Sequence, residues 1–452
     1  MKKRLEETSV IIISTIKWSL LATIIGIAVG FSTTIFLKTL NWATLFSHKF
    51  NYYFLFLPFV FFFSALIIKY LAPDAEGHGT EKVIEAVHKT AGKIKAEVIP
   101  IKLISSVLTI SFGGSAGKEG PCAQIGGGIS SVFSDIFKFA DVDRKKLVIC
   151  GISAGFASVF GTPIAGAIFG LEVLFVGNIL YDVLLPSFIS GIISYHISSA
   201  FGIKYFYHPI KFVPVFNEFL LIKIIIGGIL FGIVSLLLIE SMRIFKNLSD
   251  KIKLWGPFKG LIGGFVIVFF AFIFSDKFLG LGLETLQSAL EGEKIIWYFF
   301  LLKIVFTSIT LNFGGSGGIL TPIFFIGATS GSCLSSFLGI DKGTFSAIGF
   351  VSVLAGAANT PISSSIMSIE IFGAEIAPYA ALSCIISFLI SGHRSIYPSQ
   401  ILGMKKSSSI QIELGKEISV SEPRLKLRKR SLISLIMYID KKIRKKLRRK
   451  NK

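Results

Sequence analysis

Charge and cysteine are scarce in this chain, and each shortage excludes a class of protein. Only 16% of the 452 residues are charged, whereas 52% are hydrophobic. Soluble domains are typically about 25% charged, so an ordinary soluble protein of this length is excluded. The four cysteines, Cys122, Cys150, Cys333 and Cys384, form no CxxC pair and lie in apolar or glycine-rich sequence. We therefore expect buried thiols, no disulfide, no metal and no cofactor.

Long apolar runs are the main positive feature. Residues 11–37, 54–68 and 219–239 form runs that we interpret as membrane spans, since ~20 apolar residues cross a bilayer core. Glycine and proline interrupt the other apolar runs. Irregular backbone at membrane depth is tolerated only where protein or a water-filled cavity surrounds it. We therefore predict an all-α polytopic membrane protein in which several helices are broken, short, tilted or re-entrant.

The formal net charge of +20 does not indicate nucleic-acid binding, because the charge is concentrated at the ends. Fifteen Lys and Arg residues fall in the last 40 positions, and Lys2, Lys3 and Arg4 make the N-terminus basic. Basic flanks mark the cytoplasmic side of a membrane, so we expect both termini there. No small-residue cleavage signature follows the first apolar run, which we interpret as a retained span. Residues 431–450 are predicted to form a helix on an anionic leaflet, with a disordered tail as the alternative.

A repeat divides the membrane part of the chain. Residues 111–131 align without a gap with residues 312–332, and residues 161–173 align with residues 359–371. The matches include Glu172 with Glu370. Duplicated halves that carry Gly/Pro breaks at matching places indicate an ion site between the repeats. The loop that follows the first copy is basic and the loop that follows the second is not, which favours inverted halves.

The same features divide the chain into four parts. Residues 1–72 hold the N-terminal apolar segments, and residues 73–204 form the core of the first repeat. Residues 205–402 form the second half, and residues 403–452 form a basic cytoplasmic tail.

GKEGP, at Gly117, Lys118, Glu119, Gly120 and Pro121, places a carboxylate in a glycine break between apolar segments. An ionisable residue at membrane depth is a functional candidate by default. Helix N-termini that begin at such a break attract anions. Glu119 could occupy the position of an anion when charged and leave when protonated, which would make it both gate and proton carrier. The alternative is a glutamate in an aqueous loop.

GGILTP ends with Gly318, Ile319, Leu320, Thr321 and Pro322 and carries no charge. Backbone N–H groups at a helix start, with the Thr321 hydroxyl, would suit a weakly held anion. The alternative is a glycine patch that serves helix packing.

Two further motifs carry polar groups. His78, between Gly77 and Gly79, could donate a ring N–H and changes charge near neutral pH; the alternative is a loop histidine that faces water. Tyr397 lies at a bend before Pro398, where its hydroxyl could reach a buried anion. The alternative, which the pattern alone favours, is a tyrosine at the membrane interface.

These four motifs, in this order and on duplicated halves, resemble the CLC family of chloride channels and chloride/proton antiporters. The resemblance covers about residues 75–400. It implies inverted-topology repeats, an anion pathway in each subunit and a homodimer in the cell membrane. It also implies a gating role for Glu119, anion binding by the backbone amides of Ile319 and Leu320, and anion coordination by Tyr397.

The chain departs from the family pattern at several positions. His78 replaces the coordinating serine, and Glu81 replaces a proline that affects anion choice. Val173 stands where studied antiporters have an inner glutamate, and Leu320 replaces an aromatic residue. The tail is too short for a pair of CBS domains. These departures leave the choice between channel and antiporter open.

The predicted function is transport of chloride or a similar monovalent anion, with protons as a second partner and Glu119 as the gate. The alternative is a fluoride-selective fluoride/proton antiporter, which His78, Thr321 and the missing inner glutamate suggest. A cation or organic-solute transporter would have only Glu119, Glu172 and Glu370 as candidate carboxylates. An enzyme is not expected, because no nucleophile–base pair is present.

Overall fold

The computed structural model describes residues 2–210 and 218–425, and the predicted tail helix over 431–450 lies outside these ranges. Within them the chain forms sixteen α-helices and four two-residue strands. The helices of the first half are α1 (Lys2–Ser47), α2 (Leu57–Leu71), α3 (Thr80–Lys89), α4 (Val98–Ser111), α5 (Glu119–Ile136), α6 (Asp141–Phe160), α7 (Pro163–Glu172) and α8 (Leu184–Ala200). Those of the second half are α9 (Glu218–Lys251), α10 (Gly256–Ile273), α11 (Leu283–Leu290), α12 (Phe299–Asn312), α13 (Leu320–Leu338), α14 (Lys342–Ala358), α15 (Pro361–Phe372) and α16 (Ala377–Ile390).

Six helical stretches of the described chain are long and apolar enough to cross a membrane. They are Glu6–Ser47, Tyr53–Leu71, Tyr181–Ala200, Glu218–Lys251, Gly256–Ile273 and Leu320–Leu338. The predicted runs 11–37 and 219–239 lie inside α1 and α9, which extend further at their ends. With 46 residues, α1 is ~69 Å long at 1.5 Å per residue. It therefore exceeds the ~30 Å hydrocarbon core and must tilt or extend beyond it.

Other helices are too short to cross the bilayer alone, as the sequence predicts. Helix α7 has 10 residues and α15 has 12. Each begins with a proline at its first position, where no N–H is required. The preceding helix ends in a left-handed residue, Gly161 at φ 75° or Asn359 at φ 59°. The two halves thus reverse the chain at matching positions by the same local chemistry.

The broken helices lie in the interior, where small residues allow close packing. A Cβ placed on Gly126 of α5 would lie 2.3 Å from the Gly151 carbonyl oxygen of α6. A Cβ on Gly327 of α13 would lie 2.4 Å from the Gly349 carbonyl oxygen of α14. Close approach at small residues is typical of helix pairs in membranes. These four helices form the centre of the protein.

The segment after α16 returns to the first half. Strand β2 (Ile401–Leu402) pairs in parallel with β1 (Phe175–Val176), and β3 (Ile410–Gln411) pairs with β4 (Arg424–Leu425). The buried Gln400 amide donates to the carbonyl oxygens of Val173 and Ala358, each at 2.8 Å. The first part of the predicted tail is therefore an ordered segment that is attached to the membrane domain.

Candidate anion site

The two glycine breaks meet at the centre of the molecule. The Gly117 N–H donates to the Gly318 carbonyl at 2.7 Å, and the Gly318 N–H donates to the Gly117 carbonyl at 2.6 Å. Two residues earlier in each break, the Ser115 N–H donates to the Thr310 hydroxyl at 3.1 Å, and the Ser316 N–H donates to the Thr109 hydroxyl at 3.0 Å. Each bond has a counterpart between the repeat-matched residues. Helices α5 and α13 consequently begin at one place.

Glu119 is the first residue of α5, and its carboxylate lies on the N-terminus of α13. Its Oε2 accepts from the Thr321 N–H at 3.0 Å, and its Oε1 accepts from the Thr321 hydroxyl at 2.5 Å. The side chain is only 3% exposed. The first N–H groups of a helix have no intrahelical partner, and the helix dipole is positive there. A carboxylate therefore occupies a position that suits an anion.

The GHG turn packs directly on GKEGP. A Cβ on Gly120 would lie 2.1 Å from the His78 carbonyl oxygen, and a Cβ on Gly79 would lie 2.5 Å from the Gly120 carbonyl oxygen. Gly79 also has φ 76°, a left-handed conformation that favours glycine. Both glycines are thus required for the turn to reach the start of α5. This contact brings His78 to the region of Glu119.

Tyr397 completes the group. Its ring lies 5.4 Å from the His78 ring, centroid to centroid, and the side chain is fully buried. A tyrosine at the membrane interface is therefore the wrong interpretation. The Tyr397 hydroxyl and His78 Nδ1 are both buried, with no hydrogen-bond partner in the described residues. Leaving such groups unpaired costs ~1–3 kcal/mol each, which suits groups that await a ligand.

The remaining residues of the predicted site shape the starts of α5 and α13 and contribute no side-chain donor to an anion. Ile319 and Leu320 are buried at 1% and 0% exposure, and because their side chains carry no donor, only their backbone amides could bind an anion. Pro121 and Pro322 each lie third in their helices, where the missing N–H is harmless. Lys118 precedes α5, is partly exposed and forms no ion pair with the described part of the chain.

Two buried lysines belong to this architecture, and sequence reasoning missed them. The Lys102 ammonium donates to the carbonyls of Ala75 at 3.0 Å and Gly77 at 2.6 Å. The Lys303 ammonium donates to the carbonyls of Phe278 at 3.0 Å and Gly280 at 2.9 Å. Both side chains are 0% exposed. Their shared repeat spacing of 201 residues, in otherwise apolar segments, was the available signal.

Glu172 and Glu370 cap helices of the opposite half. The Glu172 carboxylate accepts from the N–H groups of Ile362 at 2.9 Å and Ser363 at 2.8 Å. The Glu370 carboxylate accepts from the N–H groups of Ile164 at 3.1 Å and Ala165 at 2.7 Å. These carboxylates therefore stabilise the starts of α15 and α7. They do not join Glu119 in a cation cage.

Comparison with known proteins identifies the family. The family model described as voltage gated chloride channel matches residues 60–392. A protein of Pseudomonas syringae pv. tomato named "Chloride/fluoride channel protein" is 34% identical over 397 residues, which is 86% of this chain and 87% of that protein. This chain belongs to the voltage-gated chloride channel family. The resemblance found in its motifs is thereby confirmed.

More distant members agree with this assignment. The H+/Cl− exchange transporter ClcA of Klebsiella pneumoniae is 25% identical over 383 residues, covering 78% of this chain and 80% of that protein. A crystal structure of a CLC-type fluoride/proton antiporter has a TM-score of 0.81 at 28% identity and covers 85% of this chain and 98% of its own. A cyanobacterial Cl−/H+ antiporter structure has a TM-score of 0.72 at 20% identity, with 83% and 94% covered.

These matches confirm the predicted fold and the broad function. The chain is an all-α integral membrane protein with the CLC fold, and it transports anions. Its family consists of channels and transporters.

Proposed function

We propose that this protein exchanges a monovalent anion for protons, with Glu119 as gate and proton carrier. The observation that carries the proposal is the pair of hydrogen bonds from the Thr321 N–H and hydroxyl to the Glu119 carboxylate. The same donors can serve an anion once the carboxylate has left. A protonated Glu119 has no charge to hold it at the helix N-terminus. Proton uptake then frees the anion site, and proton release closes it.

The donors around this position are neutral, which favours rapid exchange. They comprise the backbone amides of Ile319 and Leu320, the Thr321 N–H and hydroxyl, the Tyr397 hydroxyl and the His78 ring. Neutral donors bind an anion by hydrogen bonds without a full opposite charge that would slow its release. Because Glu119 and the anion compete for shared donors, exchange is favoured over a passive channel, even though Val173 replaces the inner glutamate.

Chloride is the substrate that the motifs predict, and fluoride is the second candidate. Fluoride is favoured by the Thr321 hydroxyl, which makes a 2.5 Å bond to the Glu119 carboxylate. Such a short bond is typical of O–H donors with anionic acceptors, and a small, strongly accepting anion would gain most from this donor. Two of the relatives are named for fluoride, which supports testing both anions.

The decisive experiment uses purified protein in liposomes loaded with potassium chloride or potassium fluoride. Anion electrodes record efflux while a pH electrode records proton movement. We expect anion efflux with opposing proton movement, and we expect Glu119→Gln to keep anion efflux and abolish proton movement. Efflux of potassium without the anion would refute the proposal, and proton movement in Glu119→Gln would refute the role of Glu119.

We also propose that two copies form a homodimer through α7, α8, α15 and α16. The short helices α7 and α15 carry exposed apolar residues at their starts, Ile164 at 41% and Ile362 at 49%. A second copy would cover helix ends that cannot span the bilayer alone. Light scattering in detergent should give twice the protomer mass, and Ile362→Trp should shift the protein to monomers. An unshifted variant would exclude this face.

The matched hydrogen bonds between halves further support inverted-topology repeats, because each contact recurs with the halves exchanged. We place the protein in the cell membrane with both termini on the cytoplasmic side. Cysteine labelling of residues that flank the spans in intact cells tests this orientation. Labelling of both flanks from outside would overturn it.

A further inference from the structure

The N-terminus of α3 is surrounded by buried polar atoms that have no hydrogen-bond partner in the described chain. They are His78 Nδ1, Thr80 Oγ1, Glu81 Oε2 and Tyr397 Oη. The Thr80 and Tyr397 side chains are 1% and 0% exposed. The His78 and Tyr397 rings lie 5.4 Å apart, centroid to centroid, and His78, Thr80 and Glu81 lie within four consecutive positions of the chain. Because buried polar groups are rarely left unpaired, four of them together indicate a ligand position.

Glu81 differs from the other three groups because its carboxyl can gain or lose charge. Its Oε1 accepts from the Ser399 N–H at 3.0 Å and from the Ser399 hydroxyl at 2.6 Å. Its Oε2 has neither donor nor acceptor among residues 2–210 and 218–425. A protonated carboxyl has one oxygen that accepts and one O–H that donates. The surroundings of the two oxygens match that form, with the O–H on Oε2.

We propose that Glu81 is a second acid–base residue of the transport site, distinct from Glu119. When protonated, it donates its Oε2–H to an anion held beside Tyr397. When ionised, it repels that anion, so transport through the site stops. The proton comes from water and returns to water, and no bond other than O–H changes. This inference rests on the proposed anion transport and adds a residue that controls it.

The position of Glu81 relative to Tyr397 supports this role. Ser399, whose N–H and hydroxyl donate to Glu81 Oε1, lies two residues after the buried Tyr397. The segment that carries Tyr397 and Ser399 is fixed to the first half by the Gln400 amide, which donates to the Val173 carbonyl at 2.8 Å. The partner of Glu81 is therefore held in place.

The effects of other charged or titratable groups near Glu81 must be distinguished from the effect of Glu81 itself. Glu85, one turn along α3, is paired with Lys82 and Lys89 at 3.2 Å each. The positive charge of Lys246, on α9, lies within electrostatic range of both Glu81 and His78, and that of the buried Lys102 lies within range of His78. Of the groups that line the unpartnered cluster, His78 is the second one whose side chain can bind or release a proton. The experiment must therefore distinguish Glu81 from His78.

The test is made in the Glu119→Gln background, which removes the other carboxylate. Chloride and fluoride efflux from liposomes is measured from pH ~4.5 to ~8. In Glu119→Gln alone, we expect efflux to fall severalfold as pH rises, because Glu81 ionises. Glu81→Gln retains a carbonyl for Ser399 and places an NH2 donor at the Oε2 position, so the double variant should show fast efflux at every pH. Glu85→Gln in the same background is the matched control and should leave the pH profile unchanged.

The outcomes separate this inference from the proposed function. If wild type passes no anion, the proposed function fails. If wild type passes anion but Glu119→Gln has a flat pH profile, the role of Glu81 is refuted. The role is also refuted if the dependence survives in the Glu81 variant and is lost in His78→Ser. Should Glu81→Gln fail to fold, Ser399→Ala serves instead. It removes a donor that favours the ionised carboxylate, so the half-maximal pH of efflux should rise, and an unchanged value would overturn the proposal.

Discussion

Glu172 is the residue at which experiment can best distinguish a structural role of a carboxylate from a proton-carrying role. It lies next to Val173, yet its two oxygens accept from the Ile362 N–H, the Ser363 N–H and the Ser363 hydroxyl, at 2.8–2.9 Å. Glu172→Gln retains one acceptor and directs an NH2 group at donors. The Gln oxygen can keep both Ser363 donors, but the Ile362 N–H then faces the NH2 group without an acceptor, at ~1–3 kcal/mol. We expect a loss of about 1–3 kcal/mol.

The assay is thermal unfolding in detergent, measured together with proton-coupled efflux. One kcal/mol shifts the melting temperature by ~2–4 °C in chains of 150–250 residues and by less in longer chains. The expected fall is therefore roughly 1–6 °C, while the ratio of protons to anions per turnover stays at the wild-type value. Glu370→Gln is the matched control, since Glu370 accepts from two N–H groups beside the exposed Ile164, and it should cost less.

The opposite pattern would refute this reasoning. If Glu172→Gln unfolds at the wild-type temperature but loses proton movement, Glu172 carries protons rather than capping α15. A fall in melting temperature for Glu370→Gln that equals or exceeds the one for Glu172→Gln would show that burial does not control the cost of removing the cap.

Three further predictions concern other groups. Lys102→Met should reduce anion efflux at least about tenfold, because two carbonyls of the loop that carries His78 lose their donor. Lys303→Met should lower the melting temperature with little effect on efflux. Equal efflux in the two variants would contradict this difference. His78→Ser should change the chloride/nitrate efflux ratio, and an unchanged ratio would place His78 away from the ion. Burial and the nearby Lys406 lower the pKa of His393 below its usual 6.5, so the unfolded chain binds more protons and stability is lost as pH falls below ~6.5. Limited proteolysis should therefore release the segment 395–425 faster at pH ~5.5 than at ~7.5, and His393→Gln should reduce the difference.

Local sequence signals predicted the elements well but not their ends. The apolar run 11–37 lies inside α1, which extends from Lys2 to Ser47, because hydropathy marks the part that suits lipid and not the part that can be helical. The glycine breaks before Glu119 and Leu320 are confirmed as the starts of α5 and α13. The repeat also extends before residues 111 and 312, since Lys102 and Lys303 match at the same spacing.

By itself, the amino-acid sequence determined the membrane class, the family, the duplicated halves and the breaks, because apolarity, glycine and proline act on the residues nearest to them. Only the tertiary structure decided which groups meet. Thr321 is the partner of Glu119, and Glu172 caps α15 rather than its own helix. Tyr397 is buried, and Ser399 holds Glu81. These contacts join residues about 200 to 300 positions apart. A hydrogen bond tolerates a variation of only a few tenths of an ångström in the donor–acceptor distance, and the packing of the helices sets that distance.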